Sequence, residues 1–182
     1  MFDAIRKFQE AVYRIGLGAA VLQLPAPRML ALPGPSSGQN TVHENFLVVV
    51  EDAEVLAVSR DLFVSGFYSE AVEAAFKMLD EEVRRVSNEG LSGTRLMEKA
   101  FSPNGPIIPL NAQETQSEQD EQAGYHRLFA GSMLGIRNPC AHENGWIEDP
   151  QIALETIVLC QHLMRKLKAS TKYAPKAKAP SP

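Results

Sequence analysis

Leu128-Phe129-Ala130-Gly131-Ser132-Met133-Leu134-Gly135-Ile136-Arg137-Asn138-Pro139-Cys140-Ala141-His142-Glu143 joins the end of an amphipathic pattern to a dense polar cluster. Tyr125, Phe129, Met133 and Ile136 recur at spacings of four and three, which predicts the buried face of a helix. Ala130, Gly131 and Ser132 are small enough to let another helix approach. Pro139 disfavours α conformation at Asn138 and suits the first position of a new turn. The expectation is therefore a helix that ends at Arg137, a turn capped by Asn138, and a stop at Gly145. In an unbroken helix Arg137 and His142 would diverge by about 140°; the expected break lets them project towards one space.

The rest of the chain reads outward from this stretch. Its 182 residues, 45% hydrophobic and 22% charged, suffice for one domain with a buried core. A net charge of −4 argues against a chain coated in basic residues for nucleic acid, but not against a local basic groove. Two cysteines imply no disulfide framework, no apolar run approaches the ~20 residues of a membrane span, and Asp3 and Glu10 interrupt any signal-like start. A cytoplasmic protein with no membrane partner is expected.

Met1, Ile5, Phe8, Val12 and Ile15 mark an amphipathic helix within residues 1–24. Residues 25–41, rich in Pro, Gly and Ser, read as a linker, and residues 42–170 as the main domain. Phe46 to Val50 reads as a short extended run. Val55, Val58 and Leu62 mark one helix up to Gly66. Val72, Phe76, Leu79, Val83 and Val86 mark another, capped by Ser69, with Glu73, Lys77, Asp80, Glu81 and Arg84 on a solvated face. Thr94 caps a short helix to Ala100, and Ser102 to Asn111 is a loop packed by Ile107, Ile108 and Leu110. The acidic run 114–121 opens the next helix, with Ser117 and Asp120 in a capping arrangement. Asp149-Pro150 opens a last helix that is apolar over most of its girth, and residues 171–182 read as a disordered basic tail. The fold class is all-α, four main helices with an N-terminal arm.

The cluster carries specific chemistry. An arginine fork holds phosphate oxygens and stays charged, and a histidine transfers protons near neutrality. Together they suit cleavage of RNA by its own 2'-hydroxyl, without metal. Read blandly, the same residues are a helix C-terminus with a favourable cation and an exposed histidine.

Arg137-Asn138, three residues and His142 resemble the arginine–polar–histidine signature of the HEPN superfamily of small helical domains, many of them ribonucleases. The resemblance is closest to a subfamily labelled Ymh or Abi-like. It covers roughly Glu51 to Leu167 through Gly66-Phe67-Tyr68-Ser69-Glu70-Ala71-Val72, Phe101-Ser102-Pro103, Leu128 to Pro139, and Ala141-His142-Glu143. It implies a HEPN-like four-helix up-and-down bundle and a homodimer whose two motifs face each other across a cleft. It further implies an endoribonuclease of a toxin–antitoxin or anti-phage system, leaving 2',3'-cyclic phosphate and 5'-hydroxyl ends. Arg137 and His142 carry over as the catalytic pair and Asn138 as the polar residue that orients them. The other reading is a non-catalytic dimerisation or ligand-sensing module.

Glu143 either polarises His142 or is simply exposed. His126, eleven residues before Arg137, falls on nearly the same helix face and either touches RNA or is a surface histidine. Trp146 either stacks on a base or, as is commoner, anchors its turn in the core. Candidate phosphate contacts are Arg84, Arg85, Arg95, Lys99 and Arg127. Cys140/His142 and Cys160/His162 form matching pairs, but residues two apart on a helix point about 200° apart and cannot chelate one ion. No cofactor and no metal is expected. The N-terminal arm is expected to dock on its own domain or on a second copy, the commoner use of such a helix, or else to contact a partner protein, antitoxin or sensor.

Overall fold

The computed structural model describes residues 38–174, with side chains from residue 41. Every regular element among them is helical. The predicted helix within residues 1–24, most of the linker, and residues 175–182 lie outside the described residues.

Helix α1 spans Gly38–Val49. Its start places residues 38–41, read from composition as linker, in a helix, and it replaces the extended run expected at Phe46 to Val50. Three consecutive apolar residues, Leu47, Val48 and Val49, suggested a strand; in the helix they are exposed while Phe46 and Val50 are buried. Helical spacing of four lets those two residues reach the core together. Phe46 stacks on Phe63 with ring centroids 4.2 Å apart, and the His43 ring nitrogen Nε2 lies 3.1 Å from the Tyr68 hydroxyl.

Helix α2, Ala53–Val64, is capped by Asp52, whose carboxylate accepts from the Glu54 and Val55 amides. Its buried face is Val55, Ser59 and Phe63, one step round from the predicted Val55, Val58 and Leu62; Val58 is exposed. Gly66, at φ +83°, turns the chain in a conformation that a side chain would strain. Helix α3, Tyr68–Ser87, then runs through the centre of the molecule. Its predicted stripe, Val72 to Val86, is buried throughout. Two acids beside the stripe are buried as well: Asp80, expected on a solvated face, and Glu82. Each is matched. Asp80 accepts from the Gly93 amide at 2.6 Å and pairs with Arg84, and Glu82 pairs with Arg85 at 2.7 Å. Ser69 is not the cap; its side chain is buried one position inside the helix.

Helix α4, Gly93–Ala100, buries Leu96, Met97 and Ala100. The loop that follows folds over buried Ile108 and is fastened from helix α5, Gln116–Ser132, by Gln122 and by Glu121, which accepts from Asn111. Gln122 is fully buried, accepts from the Leu110 amide at 2.9 Å and donates to the Phe101 carbonyl at 3.0 Å. A true capping box opens α5, but between Thr115 and Glu118, two residues before the predicted Ser117–Asp120 pair. Helix α7, Pro150–Lys168, has the predicted Asp149 cap and packs against α1, α2 and α3.

Gln161 of α7 repeats the device of Gln122. Its carbonyl oxygen accepts from the Glu51 and Asp52 amides at 2.6 and 2.8 Å, and its amide donates to the Val49 carbonyl at 3.0 Å. Lys168 closes the same corner on Asp52 and Glu54; burial pulls its pKa down, but those two carboxylates prevail and raise it. Residues 171–174, assigned to the tail by composition, lie against α3. Burial and the neighbouring Glu82 carboxylate push the Tyr173 hydroxyl upward, and Arg85 sits 5.3 Å from the centre of its ring.

Replacing Gln161 by Leu keeps the volume and strands the backbone groups of residues 49–52. At about 1–3 kcal/mol for each orphaned buried group, Gln161→Leu is expected to lower Tm by several degrees or more. Thermal unfolding followed by circular dichroism checks this; an unchanged Tm would mean the corner is not held by the glutamine.

Candidate functional site

The junction does not break. After α5 the chain continues as a π-helical turn, Met133–Arg137, and then as helix α6, Asn138–His142. Asn138 keeps right-handed helical angles, φ −65° and ψ −47°, and its amide bonds to the Met133 carbonyl five residues back. The expected break at Pro139 is therefore corrected. In an α-helix the proline ring would press on the carbonyl of Gly135, four residues earlier. One extra residue in the turn displaces that carbonyl and accommodates the ring. Met133, which opens the π-turn, and Cys140, just after it, are buried and hold the helix against α3.

This changes the geometry of the motif. Arg137 is half-buried; its Nε is buried without a hydrogen-bond partner, and its Nη1 donates to the Asn138 side-chain oxygen at 3.3 Å. Asn138 is thus not the N-cap of a new turn but a local brace for the guanidinium. His142 closes α6, is exposed, and makes no hydrogen bond among the described residues. No hydrogen bond joins Arg137 to His142. With α geometry between them they diverge as in a continuous helix, so the predicted convergence within one chain does not occur. Glu143 leaves the helix in extended conformation and is exposed, its amide bonded to the Pro139 carbonyl. His126 is half-buried on α5, and the extra residue of the bulge puts it out of phase with Arg137.

Cys140 sits beside Ser69 of α3. Burial raises its thiol pKa, the Ser69 hydroxyl opposes this, and the carboxylates of Glu73 and Glu70 add to the rise. Cys160 is fully buried in α7, and burial raises its thiol pKa far more. His162 is held elsewhere: its Nε2 lies 2.7 Å from the Tyr125 hydroxyl, in a cluster with Lys166 and Glu121 that the sequence reading missed. Among the described residues no group of acids, cysteines and histidines is placed to hold a metal ion.

Of the candidate phosphate contacts, Arg84, Arg85 and Lys99 are occupied by Asp80, Glu82 and Glu89. Arg127, on the exposed side of α5, has no partner among the described residues. It begins an outward row with Leu128, Gly131, Leu134 and Gly135 that leads to the motif. A Cβ added at Gly131 or Gly135 would meet nothing within 4 Å. At these two glycines no helix among the described residues approaches, whereas Ser132 is buried and Ala130 packs against the core.

Fold and junction together define an all-helical domain with an arginine–amide–histidine cluster on a π-distorted helix. The chain belongs to the Hypoth_ymh family, described as a protein of unknown function, whose family model matches residues 51–167. No curated protein and no solved structure matches it. No helix among the described residues is long and apolar enough to cross a membrane.

The buried thiols give a simple check of the junction. A disulfide reagent at neutral pH is expected to react slowly with both cysteines in the folded chain, and with Cys140 before Cys160 as denaturant is added. Rapid labelling of Cys140 without denaturant would mean that α6 does not stay packed on α3.

Proposed function

We propose that the Arg137–His142 junction is half of the active site of a metal-independent HEPN-type endoribonuclease, working as a homodimer in a toxin–antitoxin or anti-phage system. The domain would then be a HEPN-like four-helix up-and-down bundle built on α2, α3, α5 and α7. The observation that carries the reading is the state of the two side chains. Among the described residues, His142 is exposed with its ring nitrogens uncommitted, and the Arg137 guanidinium is braced by Asn138 yet bound to no carboxylate. A histidine free to move protons and an arginine kept from internal ion pairs are what a phosphate-cleaving site requires.

In this reading the imidazole removes the proton of a ribose 2'-hydroxyl. The freed oxygen attacks the adjacent phosphorus, the bond to the 5'-oxygen breaks, and that oxygen takes up a proton. The products are a 2',3'-cyclic phosphate and a 5'-hydroxyl. Arg137 holds the non-bridging oxygens as negative charge builds on them.

The divergence of Arg137 and His142 within one chain supports a site assembled from two. The outward row Leu128, Gly131, Leu134 and Gly135 gives a second copy an apolar face of small residues to approach, immediately beside the motif. Small residues permit close helix contact, and exposed leucines supply apolar area to bury.

Total RNA incubated with the full chain in EDTA is expected to be cut to cyclic-phosphate ends, and His142→Ala or Arg137→Ala to slow this by about a hundredfold or more. Expression of the native sequence, but not of either variant, is expected to arrest growth. No cleavage across a range of RNAs, or cleavage equal in the variants, would contradict the proposal. Leu134→Asp is expected to shift the chain from dimer to monomer by light scattering and to abolish cleavage with it.

A further inference from the structure

Trp146 is the only tryptophan of the chain, and it is 56% exposed. That is opposite to its expected use as a core anchor. Among the described residues the indole makes no hydrogen bond and no ring contact. The loop that carries it is nonetheless fixed at both ends. Upstream, α6 is held through Cys140 on α3, and Gly145 makes the turn at φ +63°. Downstream, Ile147 packs against the core and the Asp149 carboxylate caps α7 through the Gln151 and Ile152 amides. A rigid loop therefore presents a large aromatic face to solvent, four residues after His142. Four residues reach no more than about 14 Å, so the indole stands within a few nucleotides of anything bound at the imidazole.

The charges around it narrow the ligand. Glu143 is exposed on one side, and Glu148 folds back over Gly145 on the other. These carboxylates repel a phosphate backbone laid across the loop, as a duplex would require. They do not repel the uncharged face of a base turned away from its backbone, with the phosphates carried on Arg137. Every base offers such a face, so the contact tolerates sequence and selects for bases that are unpaired.

We propose that Trp146 is the platform on which an unpaired base flanking the scissile phosphate stacks, making single-stranded or looped RNA the substrate of the junction. This rests on the ribonuclease reading of the same site. Because Trp146 is the sole tryptophan, its fluorescence reports the contact directly. The probe is a mixed-sequence single-stranded RNA titrated into the full chain carrying His142→Ala, with the anisotropy of the labelled RNA followed in parallel.

The fluorescence is expected to be quenched along the binding curve, and a duplex of the same sequence to leave it unchanged. In the native background, Trp146→Ala is expected to weaken single-strand binding and raise KM about tenfold or more; Trp146→Phe is expected to restore most of the loss. Binding seen by anisotropy with unchanged fluorescence would overturn the proposal, as would a Trp146→Ala variant that binds and cuts like the native chain, or no binding of single-stranded RNA at all. Quenched binding by a native chain that never cleaves would keep the stacking platform and remove the nuclease reading alone.

Discussion

A proline inside a helix that cannot leave the core is the constraint from which the geometry of the motif follows. Met133 and Cys140 are both buried, one at the start of the π-turn and one just after it. Breaking the helix there would expose one of them and lose its packing on α3. Widening one turn costs less, since the carbonyl that Pro139 leaves without a donor is lost either way while the rest of the helix continues. The Asn138 amide bonding to the Met133 carbonyl is the trace of that compromise. It leaves Arg137 and His142 on diverging sides of one continuous helix.

Elsewhere the fold is secured by polar groups that bridge loops to helices from inside. Gln122 and Gln161 each satisfy the backbone of a corner where no helix or sheet partner is available. Asp80 and Glu82 do comparable work on α3, one for the start of α4 and one for the segment at Tyr173. Such groups belong in a core only when matched, and here each is. By contrast, among the described residues Arg137 has no carboxylate partner and its Nε has no hydrogen-bond partner, and the His142 and Trp146 side chains have none either.

Much of this was legible from sequence where one signal dominated. The 4-3-4-3 stripe of α3 and the Asp149-Pro150 start of α7 have few competing readings, and both stand in the structure. The errors fall where two local rules compete. Leu47, Val48 and Val49 imitate a strand because three adjacent apolar residues are also what an exposed helix face adds to Phe46 and Val50. Asp80 was placed in solvent because a sequence cannot show that the Gly93 amide thirteen residues on would need it. Thr115 and Ser117 are both plausible caps, and only the Glu118 side chain, reaching back to the amide of Thr115, decides between them. At the motif the identities of Arg137, Asn138 and His142 were readable, but their geometry was not. Local preference before proline favoured a break, and tertiary burial of Met133 and Cys140 overrode it.

The proposed site is one that a single chain does not complete. Mixing two inactive copies tests this most directly. Full chains carrying Arg137→Ala and His142→Ala are combined, allowed to exchange subunits, and assayed for RNA cleavage in EDTA. A site that takes arginine from one copy and histidine from the other must recover activity in the mixed dimer, because one of its two sites is then intact. Mixed dimers that form, as shown by mass measurement, and remain inactive would contradict it.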